Sequence, residues 1–169
     1  ELALQMCADA GGDVSGGARV TGPDSSAADA TANAADNWRS AFLRAPYLRD
    51  AMVALGCIAE TFETAVTWDC FEDLHEQVTS TARRPLDSLC GGGTITCRFT
   101  HVYPDGAAPY FTVLAPSRHG EQLAMWDEVK AAVSEAIIDA GGTITHHHAV
   151  GRDHRRGYDR QRPDLFAEA

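Results

Sequence analysis

The spacing of apolar residues changes period several times along this 169-residue chain. Leu2, Leu4 and Met6 open it in a helical pattern. Residues 11–36 then carry almost no large apolar side chain and are rich in Gly, Ala, Ser and Asp. Such a stretch cannot bury enough surface to offset the entropy of ordering, and it is expected to form a mobile loop. Trp38, Phe42, Leu43, Tyr47 and Leu48 predict a short helix ending near Pro46, whose ring breaks the helical hydrogen-bond ladder. Residues 52–66 run apolar with β-branched and aromatic members, which reads as a strand. Thr67 is placed to cap a helix that carries Phe71, Leu74 and Val78 on one face and ends at Arg83-Arg84-Pro85. Residues 93–103 alternate, Pro104-Asp105-Gly106 is a turn, and residues 110–114 return as a second strand, together a hairpin. Leu123, Trp126, Val129, Val133 and Ile137 fall three to four residues apart on a long helix that Gly141-Gly142 stops, and residues 143–145 are a short last strand.

The order between residues 52 and 145 is therefore β-α-β-β-α-β. This is the split βαβ pattern of ferredoxin-like α+β folds, an antiparallel sheet with both helices on one face. Three sections follow: residues 1–50, N-terminal helices and the mobile loop; residues 51–148, the sheet domain; and residues 149–169, the start of a C-terminal helical segment. Because the chain opens and closes inside helical patterns, it is expected to be part of a longer protein.

Charge and composition narrow the function classes. A formal net charge of −10 disfavours nucleic acid as a partner and disfavours general binding to anionic membranes. Basic residues do gather late, at Arg152, His154, Arg155, Arg156, Arg160 and Arg162. An apolar fraction of 44% is enough for one core. Cys7, Cys57, Cys70, Cys90 and Cys97 lack CxxC spacing, so reduced thiols in the cytoplasm are expected rather than a disulfide framework or a zinc knuckle. No apolar run is long enough to cross a bilayer. Abundant alanine, with Lys130 the single lysine, fits a GC-rich bacterial genome.

The chemistry concentrates in the run from Gly141 to Gly151, which holds His146, His147 and His148. Adjacent imidazoles are costly to bury, and they are useful for proton transfer or for binding anions and metals. If this segment stays extended, His146 and His148 share a face and His147 points away. A polar surface turn is the plainer alternative. A metal site is disfavoured, since zinc usually draws its ligands from separated positions.

The runs GGTITHHHAVGRDHRR and CRFTHVYPDGAAPYFTVLA, with Tyr47-Leu48-Arg49-Asp50 and ETFETAVTWD, together resemble the C-terminal cap region of alkyldihydroxyacetonephosphate synthases, FAD flavoproteins of the vanillyl-alcohol-oxidase type. The resemblance implies a cap domain that covers a flavin bound mainly by an N-terminal FAD-binding domain of the same protein. It implies ether-lipid bond formation, in which an acyl group is replaced by an alkyl group through a flavin adduct, on a lipid-like or small phosphorylated or carboxylated substrate. Carried over by position, Tyr110, His146, His147 and His148 are the catalytic candidates, and His148 is also the cofactor contact. Arg49, His101 and Arg152 are the candidates for substrate binding, and no metal is expected. A cytoplasmic enzyme, with a homodimer and peripheral membrane contact within that expectation, completes the picture; the isolated chain is expected to be inactive. FAD-linked 2-hydroxy-acid dehydrogenases share this cap, but their metal-binding patterns HxGDGNxH and GEHGIG are replaced here by a hairpin ending at Tyr110 and by His147. An FAD-linked oxidoreductase of a 2-hydroxy acid or other alcohol is the alternative function, and a non-catalytic ligand-binding domain is a third.

Overall fold

The computed structural model describes residues 2–14 and 34–166, with side chains from residue 39 in the second stretch. Most of the expected mobile loop therefore lies outside the described residues. The chain forms two compact units, residues 1–43 and 44–169. Helix α1 (Leu2–Asp9) belongs to the first, and α2 (Ala34–Ala54) begins there and runs on into the second.

The expected break at Pro46 does not occur, because α2 continues through it for two further turns. The helix stops at Gly56, whose φ of +85° is a left-handed conformation that glycine adopts without a Cβ clash. Strand β1 consequently starts at Cys57, later than the apolar run alone predicts.

Beyond this point the order is β1 (Cys57–Glu63), β2 (Val66–Thr67), α3 (Trp68–Cys90), β3 (Thr94–Val102), β4 (Gly106–Pro116), α4 (Gln122–Asp139) and α5 (Arg155–Gln161). Strand β4 is central and pairs antiparallel with β3 on one side; on the other it pairs with β1 and β2, which lie in line. Helix α3 also passes its expected stop: Pro85 is buried within it, and the helix ends at Gly91 in the left-handed region. Thr67 sits at the cap position without accepting a cap bond, and its hydroxyl instead helps to hold the Asp69 carboxyl below its usual range.

Both long helices cover one face of the sheet. Leu74, Val78, Ala82 and Leu86 of α3 and Val129, Val133, Ala136 and Ile137 of α4 bury against Phe62, Phe111, Val113 and Ala115. Removing this apolar area from water is the main stabilising term of the unit. Leu123, which the periodicity placed on that stripe, is 70% exposed, and Met125 takes its place in the core.

Residues 143–145 do not form the expected last strand. They do run along the free edge of β1, where a fourth strand of the ferredoxin-like order would lie. The backbone N–H of Thr143 donates to Ala65 O (3.1 Å) and that of His146 to Glu63 O (3.1 Å). Between them the Thr143 hydroxyl accepts from Ala65 N–H (2.9 Å) and the Thr64 hydroxyl donates to Thr143 O (2.6 Å). A side chain has taken the place of a main-chain rung, so the ladder is not regular although the segment is firmly docked. The antiparallel α+β class stands, with the sixth element irregular.

Candidate active site

Strand alternation decides which face of the sheet carries polar chemistry. On β1, Ile58, Glu60 and Phe62 face the helices, so Thr61 and Glu63 face the opposite side. Register then sets Glu63 beside Tyr110 of β4, and Tyr110 beside Arg98 of β3. The Arg98 guanidinium lies 4.7 Å from the centre of the Tyr110 ring, within cation–π range.

Pro109, next to Tyr110 in the central strand, has no N–H to offer its neighbour. Opposite it the β3 ladder is irregular, with a register shift between Phe99 and His101 that leaves Thr100 as an extra residue. Bulges of this kind re-aim side chains. Here Thr100 donates its hydroxyl to Glu63 Oε1, and His101 Nδ1 comes within 3.8 Å of the same oxygen.

Glu63 is the centre of the cluster, with only 5% of its surface exposed. His146 Nδ1 lies 3.4 Å from its Oε1 and His148 Nε2 3.4 Å from its Oε2. On the far side of the His146 ring, Nε2 is 3.2 Å from the Tyr103 hydroxyl. His148 meets the Tyr110 ring edge-on, with centroids 5.8 Å apart. A buried carboxylate is stable only when its oxygens are hydrogen-bonded or paired, and this one has partners at both.

Of the expected division of the histidines one half stands, with His146 and His148 both on Glu63, and the other does not, because His147 does not point away. His147 adopts a φ of +58°, which turns the chain inside the triplet and cancels strand alternation. Its ring stacks on that of His146, with centroids 4.2 Å apart and planes at 14°, and meets His101 edge-on at 4.3 Å. All three members of the triplet therefore stand with Glu63 and His101 or Tyr110. The chain is held in this turn by the His148 N–H to His146 O bond (2.7 Å) and by the Thr145 hydroxyl on His148 O (3.1 Å).

Of the sequence-predicted residues, Tyr110, His101, His146, His147 and His148 are brought together. Arg49 lies exposed on α2. Arg152 lines a separate cavity of about 270 Å³ with Trp126, Lys130, Ile144 and Arg156. The other late arginines are matched by acids: Arg155 and Arg162 with Asp159, Arg156 and Arg160 with Glu135. That group is a charge-paired helix surface.

Sequence reasoning missed Glu63, Thr100, Arg98 and Tyr103. The available signal was a lone carboxylate in the apolar run Phe62-Glu63-Thr64-Ala65-Val66, at a position where alternation sends it to the polar face. Glu63 also changes the metal arithmetic. One donor atom from each of Glu63, His101, His146 and His147 lies within 4.8 Å of the others, a nitrogen and oxygen set suited to a borderline cation such as zinc. These donors do come from separated positions, on β1, on β3 and in the histidine triplet.

A family model described as FAD linked oxidases, C-terminal domain, matches residues 4–169. This chain belongs to that family. Membership implies FAD as the cofactor of the parent enzymes and an FAD-binding domain N-terminal to this one. Among similar curated proteins are the alkyldihydroxyacetonephosphate synthase of Caenorhabditis elegans, 36% identical over 111 residues covering 63% of this chain and 18% of that protein, and its namesake in Trypanosoma brucei brucei, 27% identical over 119 residues covering 70% and 19%. A solved structure of alkyldihydroxyacetonephosphate synthase matches the fold with a TM-score of 0.57 at 19% identity, covering 78% of this chain and 22% of that one. A second crystal form matches at 0.52 and 20%, covering 63% and 18%. The chain thus spans less than a quarter of each of these proteins. These relatives are eukaryotic and lend no support to a bacterial source.

Proposed function

We propose that this FAD-linked oxidase C-terminal domain is the substrate side of an enzyme that forms an ether bond by exchanging an acyl for an alkyl group on a glycerone-phosphate-like lipid. The observation that carries this reading is the row Glu63–Tyr110–Arg98 with His148 against the Tyr110 ring, on the sheet face that α3 and α4 leave uncovered. It sets a phenol between a cation and a carboxylate-anchored imidazole, the donor set that proton transfer at a substrate oxygen needs. The names of the similar proteins support the same substrate class.

The residues present suit the ring end of FAD. Thr96, Arg98 and Thr112 are exposed on that face beside Tyr110 and His148, offering donors to ring oxygens and nitrogens. When bound, FAD would supply an electrophilic ring for the exchange. This chain contributes the rest: Arg98 draws a phosphate or carboxylate by charge, His148 borders the reacting region, and Tyr110 moves the proton. Exposed Tyr47, Leu48 and Leu55 on and beside α2 suit burial against another part of the protein, a second copy or a lipid surface. A cytoplasmic homodimer touching the membrane peripherally is part of the proposal; among the described residues no helix is long and apolar enough to cross one.

The Glu63 and histidine donor set favours a second reading, metal-assisted oxidation of a 2-hydroxy acid. The two separate in one experiment on the full-length flavoprotein. An acyl-dihydroxyacetone-phosphate analogue should perturb the flavin spectrum and release fatty acid, and Tyr110→Phe should abolish release with an unchanged melting temperature. Bleaching by D-lactate or glycolate without fatty-acid release would refute the ether-bond reading.

A further inference from the structure

His146 has a polar partner on each ring nitrogen: Glu63 Oε1 at Nδ1 and the Tyr103 hydroxyl at Nε2. We propose that Tyr103, His146 and Glu63 form a proton relay that opens at the hairpin turn, with Tyr103 a second acid/base group and Glu63 the positioning residue behind it. Its use in turnover rests on the function proposed above, whereas its existence does not.

The three groups run from the interior to solvent. The Glu63 side chain is 4% exposed and that of His146 17%, while Tyr103 is 39% exposed at the end of β3. An ionised carboxylate only accepts hydrogen bonds, so it selects the His146 tautomer with the proton on Nδ1. In the neutral ring Nε2 is then an acceptor, and the Tyr103 O–H is its donor. The His146 N–H bond to Glu63 O anchors the main chain of the same residue, so ring and backbone are both referred to one position. Flanking rings restrict the pair further: His147 stacks on His146, and His101 lies parallel to Tyr103, with planes at 6° and centroids 6.0 Å apart.

The logic is that of a serine–histidine–aspartate triad with a phenol in place of the serine hydroxyl. A substrate O–H gives its proton to the Tyr103 oxygen as the Tyr103 proton passes to His146 Nε2. The Nδ1 proton stays between ring and carboxylate, and the resulting imidazolium is balanced by Glu63. Reversal returns the proton to the substrate oxygen. Tyr110 is differently placed, meeting His148 through a ring edge.

Long-range proton–nitrogen NMR on the full chain with nitrogen-15-labelled histidine tests the relay without turnover, with His146→Gln assigning the resonances. The expected wild-type spectrum has His146 protonated at Nδ1 and unprotonated at Nε2. Tyr103→Phe should shift the Nε2 resonance and leave Nδ1 protonated, and Glu63→Gln should abolish the tautomer preference. An unprotonated Nδ1 in the wild type, whether from the other tautomer or from a bound metal, overturns the relay even if Glu63→Gln does not fold, as does an Nε2 resonance unmoved by Tyr103→Phe. In the flavin-loaded full-length enzyme, Tyr103→Phe should lower kcat by about 100-fold with little change in KM. Unchanged kcat removes the acid/base role, while absence of wild-type ether-bond activity removes only the function proposed above.

Discussion

The imidazole rings of His146 and His147 lie face to face at 4.2 Å, although neighbouring residues of a strand point to opposite sides. The backbone of His147 at φ +58° makes this contact possible. One residue's conformation thus converts a sequence triplet into a cluster that a straight strand would split.

That conformation predicts a ranking of substitutions. Asparagine tolerates the left-handed region and valine does not. His147→Val should be less stable than His147→Asn by about 1–2 kcal/mol, measured as the difference in urea unfolding free energy. Equal stabilities would show that the backbone relaxes and that the stack does not depend on this turn.

On the helix side, Lys130 Nζ lies 3.1 Å from Glu60 Oε1, with both side chains 10% exposed, and the indole N–H of Trp126 donates to the other Glu60 oxygen. Breaking a buried pair strands a charge and costs about 3–5 kcal/mol. Lys130→Met should approach the lower end of that range, because Trp126 still serves Glu60. The double variant Glu60→Leu, Lys130→Met should recover most of the loss, and chemical denaturation midpoints at constant slope would reveal it. A single variant as stable as wild type would mean that water reaches the pair.

Cys97 supplies a pH dependence. Burial pushes its thiol up from 9.0 to about 11, partly offset by a hydrogen bond from the Tyr110 backbone. The folded value is the higher one, so the unfolded chain ionises first. This contribution is intact below pH 9 and is lost as pH rises through about 11. Urea midpoints between pH 8 and 11 should fall less steeply in Cys97→Ala than in wild type. Parallel curves would show that the folded thiol is solvated.

Some features were legible because they depend on local periodicity. The alternation of residues 93–103, the three-to-four spacing of Val129, Val133 and Ile137, and the Gly141-Gly142 stop led directly to β3, β4 and α4. Breakers were less dependable: Pro46 and Pro85 both lie inside helices, and at Pro85, which is buried, packing outweighs one lost hydrogen bond. The final strand failed for another local reason, the Thr143 hydroxyl occupying the Ala65 N–H.

For the site, sequence by itself determined the donors: the histidine triplet, Tyr110, and the motifs that resemble one flavoprotein family. Tertiary structure alone decided their grouping. Glu63, Thr100 and Tyr103 join the triplet through register, a bulge opposite Pro109, and the docking of residues 143–146 against β1. Contacts 37 to 83 residues apart in sequence leave no periodic trace, because each depends on how two distant elements pack.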